Sequence, residues 1–223
     1  MTDLTPLDGL RITTPRLELR VGTEAEVAEL GRLAMGGIHP AEEMPFGVAW
    51  SDRIGAPGFE QEFAEYHEKV RSSWSRESWH LDLLVWEDGI LAGTQGLGGK
   101  HFATQRVIGT GSWLGAAYQR RGIGTEMRAA ILEFAFAGLG AEAATSGWLE
   151  GNRASARVSE KLGYRKVGIS EVSPRDVPVA HHDMRLERSA WRSPVMVKTS
   201  GLGPALPLFG ADQPSERSAA DSD

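Results

Sequence analysis

The sequence predicts a mixed α/β domain built on one central sheet. Apolar residues recur with period 2 in some segments and with helical spacing in others, and the two kinds alternate along the chain. Of 223 residues, 41% are hydrophobic and 24% charged. That balance is globular, and the length suffices for one well-buried core.

The elements follow in order. "RLELR" (16–20) sets Leu17 and Leu19 against charged neighbours, as in a half-buried strand. Thr23 followed by Glu26 is a capping-box pattern, and Val27, Leu30 and Ala34 continue it as a helix. Residues 36–52 carry glycines, prolines and aromatics without a period and read as a long loop or broken helix. Phe59, Phe63, Tyr66, Val70 and Trp74 mark an amphipathic helix over 58–75. "HLDLLVW", "EDG" and "ILAGTQGLGG" read as a hairpin, and "RVIGTGSWLGAAY" as a glycine-rich strand that is bent or closely approached. Ile123, Met127, Ile131 and Phe134 form one helical stripe. "AEAATSGWLE" is a strand. Asn152 starts a helix whose buried side is expected to carry Ala154, Val158 and Leu162, and Gly163 stops it. "YRKVGIS" and "HDMRLER" are the last strands. The expected domain spans 1–188. From about Ser189, Pro, Gly, Ser, Ala and Asp dominate without a period, so 189–223 is expected to be a disordered tail dispensable for folding; "PVMV" and "ALPLF" are pieces able to dock.

Composition narrows the chemistry. The net charge of -6 offers no overall drive toward nucleic acid. Without cysteine there is no disulfide, thiolate nucleophile or thiolate metal site. No apolar run approaches the roughly 18–20 residues of a membrane span, and "MTDLTPLDGL" lacks the basic region and apolar core of a signal peptide. The expectation is a cytoplasmic protein with no nucleic-acid or membrane partner and no metal.

Two stretches carry chemistry. In "AYQRRGIGTEMRAAILEFAF" (117–136), Gly122 and Gly124 let the backbone approach a ligand just where a helix begins. Unpaired N–H groups, the helix dipole, Arg120 and Arg121 make a seat for phosphate. Taken alone, the same residues read more readily as a tight strand-to-helix turn with solvated arginines than as a phosphate seat. Upstream, Gly109-x-Gly111-x-x-x-Gly115 mimics a dinucleotide fingerprint, but no helix starts at Gly111. "LGGKH" lacks the spacing of a nucleotide-binding P-loop. In "EGNRASARVSEKLGY" (150–164), Asn152 can cap a helix with Ser155 on its first turn.

Together the stretches resemble the GNAT acetyltransferase family, and within it the branch like the ribosomal-protein alanine acetyltransferases. The family's Gln/Arg-x-x-Gly-x-Gly/Ala matches Gln119, Gly122 and Gly124; the branch's Asn-x-x-Ser…Glu-Lys-x-Gly-aromatic matches Asn152, Ser155, Glu160, Lys161, Gly163 and Tyr164. "PRLELR" looks like its first strand. The resemblance covers about residues 10–188. It implies a central mixed, mostly antiparallel sheet flanked by helices, and acetyl-CoA or another acyl-CoA as co-substrate with an amine acceptor. It implies that Gln119, Arg120, Arg121, Gly122, Ile123, Gly124 and Thr125 hold the pyrophosphate, that pantetheine runs along Trp113 and Leu114, and that Asn152 bonds it. A homodimer is possible by the same likeness.

Ser155 matches the proton donor of the resembled branch. Ser159 stands where many members have a tyrosine, and Tyr164 takes a usual phenylalanine position and reads as core. No carboxylate stands on the strand before the glycine turn, so the base is open among His80, Asp82, Glu150, His39, Glu42 and Glu43. The loop "IHPAEEMPFGVAW" would supply an aromatic, partly acidic wall for a cationic amine. Three readings stay open: acyl transfer to a small-molecule amine, acyl transfer to a protein N-terminus or lysine, and a non-catalytic acyl-CoA-binding protein. The donor is acetyl by default, with succinyl as the alternative if a cation lies near the thioester.

Overall fold

The computed structural model describes residues 2–211. Strands β1 (Arg11–Thr13) and β2 (Leu17–Arg20) lead into helices α1 (Glu24–Met35) and α2 (Phe59–Ser72). A hairpin of β3 (Ser78–Glu87) and β4 (Ile90–Lys100) follows, then a single turn α3 (Phe102–Gln105), strand β5 (Val107–Leu114) and helix α4 (Ile123–Glu133). Strand β6 (Ala143–Leu149), helix α5 (Arg153–Lys161), strands β7 (Arg165–Val172) and β8 (Val179–Glu187), and a short β9 (Lys198–Ser200) complete the order. The strands form one sheet, β7-β8-β6-β5-β4-β3-β2-β1-β9. Every pairing is antiparallel except β5–β6.

Strand alternation divides the core between the two faces of the sheet. On β3, Leu81, Leu83 and Val85 join the larger cluster with α4, while Leu84 joins Leu30, Ala34, Phe59 and Phe63 beneath α1 and α2. The Thr23 capping box forms: Thr23 Oγ1 accepts from the N–H of Glu26, whose carboxylate accepts from the Thr23 N–H. The same carboxylate pairs with Arg20, and the Arg20 hydrogen bond leads the forces that hold it down to about 2.

Four expectations need correction. Strands β1 and β9 were not legible, being three residues each. Tyr66, on the predicted stripe of α2, is exposed, whereas Phe59 and Phe63 are buried. On α5 the inward arc runs through Ser155, Val158, Ser159 and Leu162; Ala154 is exposed, and Ser159 takes the core-facing slot. The expected disordered tail is, up to Ala211, a packed segment. Its β9 pairs with β1, Trp191 donates to Glu133 at 2.7 Å, and Phe209 is fully buried against Trp74 and Trp79. Docking prevails because two indole N–H groups find acceptors there: Trp74 donates to the Leu208 carbonyl and Trp79 to that of Phe209. The rest of the tail, 212–223, lies outside the described residues.

Phe209→Ala should therefore cost about 3–5 kcal/mol, read from urea denaturation. A chain ending at Arg188 should lose more; an unchanged melting temperature would mean the docked segment contributes nothing.

Candidate functional site

The glycine turn joins three elements. After Leu114 the chain makes a short 3-10 turn, Ala116–Tyr118, then passes through left-handed Arg120 (φ 58°) and Gly122 (φ 84°) into α4. Gln119 spends its amide on the protein, donating to the carbonyls of Ile38 (2.6 Å) and Leu114 (2.9 Å). It pins the turn to β5 and to the loop after α1. Among the described residues, the backbone N–H groups of Arg120, Gly122, Ile123 and Gly124 make no hydrogen bond, while that of Arg121 faces back into the turn at 119–120. Unspent donors at a helix start are suited to an anion. Arg120 is exposed beside them. Arg121 turns away to Glu87 (2.7 Å), so one of the two expected arginine charges is already neutralised. Thr125 and Glu126 close the first turn on the Gly122 carbonyl. A Cβ on Gly124 would lie 3.8 Å from Leu114 and 3.9 Å from Val158, so the turn, the end of β5 and α5 meet there. Ile123 is buried beneath the turn.

Beside the turn the sheet opens. β5 and β6 pair only at Val107, Ile108 and Gly109 against Ala143, Ala144 and Thr145. Beyond, β5 continues to Leu114 and β6 to Leu149 without pairing to each other. Arg128 of α4 crosses this split. Its Nη2 donates to Ser112 on β5 (2.9 Å), Nη1 to Ser146 on β6 (2.8 Å) and Nε to Gln95 on β4 (3.2 Å).

The opposite face of the sheet, towards α1 and α2, is floored by glycine. The register places Gly96, Gly98, Gly109, Gly111 and Gly147 on that face; beyond Gly111 a Cβ would meet nothing within 4 Å. A His-x-Asp pair stands on each bank. His80 Nε2 bonds Asp82 (3.0 Å) on β3, with its ring against Gly96 and Gly98. His181 Nδ1 bonds Asp183 (2.8 Å) on β8, with Nε2 where a Cβ on Gly147 would be. Only glycine at 147 admits that ring. Trp113 ends the floor, against Trp50 at 5.8 Å and Phe63 at 6.5 Å, with Phe46 and His39 behind. Arg175 ties this wall down, bonding Asp52 at 2.6 Å and the Ala41 carbonyl at 2.8 Å.

Asn152 caps α5 by accepting from the Ser155 N–H at 3.1 Å and reaches the Pro45 carbonyl at 3.4 Å. Ser155 is half-buried, and its hydroxyl has no partner among the described residues. Ser159 is buried with its oxygen unbonded, and Tyr164 is core. Of the base candidates, His39 is engaged with Ser51, Glu150 with His182, and Glu42 and Glu43 are exposed. Sequence reasoning missed Arg128, Arg175 and His181. The first two carry no local signal; "HLD" and "HHD" share a spacing that puts both pairs on one strand face.

Burial disfavours the charge on His80, but the Asp82 hydrogen bond and field outweigh it and raise its pKa. Burial opposes ionisation of Asp82, yet the His80 bond and the fields of His80 and His67 hold its carboxyl below the usual range. Burial pushes His67 down against the pull of Asp82.

This architecture is that of known acyl-transferring domains. RimL, a ribosomal L7/L12 alpha-N-protein acetyltransferase in complex with coenzyme A, aligns at TM-score 0.65 and 15% identity over 79% of this chain and 97% of its own. Mycobacterium smegmatis RimJ in complex with a CoA-disulfide aligns at 0.61 and 17% over 82% and 88%. A ribosomal-protein-S5-alanine acetyltransferase from Vibrio fischeri aligns at 0.59 and 14% over 82% and 98%. At such identities the likeness is one of fold. The model of the acetyltransferase (GNAT) domain matches residues 16–165, and the chain belongs to that family. Membership supports acyl-CoA-dependent acetyltransferase activity in general. Among the described residues, no group of His, Asp or Glu could hold a metal ion, and no helix is long and apolar enough to cross a membrane.

The opposed shifts set a pH window. The His80 contribution is complete below the ordinary imidazole value and fades as pH rises through its raised one; the Asp82 contribution is complete above the ordinary carboxylate value and fades in acid. Asp82→Asn should therefore destabilise more at about pH 5.5 than at about pH 8.5, measured by urea denaturation. Equal losses at both would show that the pair carries no charge in the folded protein.

Proposed function

We propose that this protein is an N-acyltransferase that moves an acyl group, acetyl in the simplest case, from an acyl-CoA to a primary amine of a small molecule or protein, by direct attack in a ternary complex. The carrying observation is the set of unspent N–H donors at the start of α4, Gly122 to Gly124, beside the split in the sheet. These donors suit a pyrophosphate, with Ile123 and Thr125 shaping the turn. Trp113, Leu114 and Asn152 would then flank the pantetheine arm, with Gln119 as a positioning residue.

An amine attacks only when neutral. His181 is the base this reading favours: Asp183 fixes its Nδ1, and Nε2 faces the glycine floor at Gly147. Ser155, on the turn of α5 that springs from the β6 arm, would protonate the leaving thiolate. The aromatic wall held by Arg175 would enclose the acceptor.

Acetyl-CoA calorimetry tests the seat. Gly122→Ala and Gly122→Asp share the strain of a left-handed residue, but only the second adds charge. Binding should fall at least about tenfold further in Gly122→Asp than in Gly122→Ala; equal affinities would sink the seat. For the chemistry, Ser155→Ala and His181→Gln should each lower kcat by about tenfold or more with donor affinity intact. Ser159→Ala, which removes a buried hydroxyl without a partner, should leave turnover alone and stabilise by up to about 1 kcal/mol. If only Ser159→Ala is crippled in steady-state thiol release, the assignment of Ser155 is wrong.

A further inference from the structure

Arg128 is the anomaly of the fold. It is 5% exposed, and a guanidinium stays charged at any pH a protein survives. Buried charges are ordinarily paired, because the desolvation cost is several kcal/mol. Yet no carboxylate pairs with Arg128 among the described residues; its three partners, Ser112, Ser146 and Gln95, are all neutral. Nearby Glu126 is committed to Thr14 and Arg16, and Glu87 to Arg16 and Arg121.

Its donors are also not exhausted. A guanidinium carries five N–H groups. One bond each from Nε, Nη1 and Nη2 leaves one N–H on each terminal nitrogen, and guanidinium N–H groups are strong partners for a carboxylate. Those nitrogens sit between the two arms of the split, tied to β5 and β6 at once.

On the acyltransferase reading, the phosphates rest at Arg120 to Gly124 and the pantetheine follows β5 past Leu114 and Trp113. The acyl end is then carried towards Ser112, into the split. We infer that Arg128 selects an acyl donor whose far end bears a carboxylate, the coenzyme A monothioester of a short dicarboxylic acid such as succinyl-CoA. This rests on the proposed coenzyme A seat and adds the donor class. In the reaction the amine nitrogen bonds the thioester carbonyl carbon and the C–S bond breaks. The amine proton goes to the base and the thiolate takes one from Ser155 or solvent. The distal carboxylate is unchanged, held by Arg128.

Binding tests this without knowledge of the acceptor. Succinyl-CoA, butyryl-CoA (equal chain length, no charge) and free coenzyme A are titrated by calorimetry into wild type, Arg128→Gln and Arg128→Lys. Wild type should bind succinyl-CoA at least about tenfold tighter than butyryl-CoA, the worth of one charged buried hydrogen-bond pair. Arg128→Gln should erase that ratio, weakening succinyl-CoA at least about tenfold more than butyryl-CoA or coenzyme A, and Arg128→Lys should keep part of it. A wild type that binds butyryl-CoA as well as succinyl-CoA overturns the inference, whether or not the variants fold. So does an Arg128→Gln protein in which all three ligands weaken equally. Failure of wild type to bind coenzyme A at all would instead overturn the seat.

Discussion

Backbone pairing between β5 and β6 lasts for three residue pairs and then stops, and the rest of the site is arranged around that interruption. A parallel pair inside a sheet would ordinarily continue, since unpaired backbone groups are costly when buried. Here Arg128 reaches through from α4 and holds Ser112 and Ser146 on separate arms. The β5 arm delivers the chain into the glycine turn, and the β6 arm delivers it into α5. Separation of the arms thus sets the position of the N–H cradle relative to Asn152 and Ser155.

The turn itself is held from behind. Arg16, just before β2, pairs with Glu126 in the first turn of α4 and with Glu87 at the end of β3, and also donates to the Arg121 carbonyl. Thr14 adds a bond to Glu126. These contacts are partly exposed, so each is worth little singly. Their effect is geometric: α4 is anchored through its side chains, and its leading N–H groups remain unspent.

Much of the fold was legible because most elements are periodic. The stripe Ile123, Met127, Ile131 predicted α4, and all three are buried; the Thr23 box predicted the start of α1. Short elements without a period were not. β1 is only three residues long beside its near neighbour β2, β9 finds its partner in distant sequence, and the C-terminal segment is fixed by indole N–H groups whose acceptors no local pattern reveals. α5 was misread by one position because a serine, not an aliphatic residue, occupies its inward arc. In the site, the glycine turn was visible as a motif, but the engagement of Arg121 by Glu87 was not. Arg128 was invisible for the same reason: an arginine amid a helical sequence looks solvated until the strands that flank it are placed.

The partnership of β1 with β9 also orders events in time. Ile12 pairs with Thr199, so β1 must wait for β9, made much later, before its outer edge is covered. Until then, a growing chain presents that edge, with its unpaired backbone groups, to its neighbours. The brevity of β1 and the charge of its own Arg11 limit the exposure during that interval. Closure of this edge is thereby tied to the late appearance of β9, a long-range contact of the kind that slows folding.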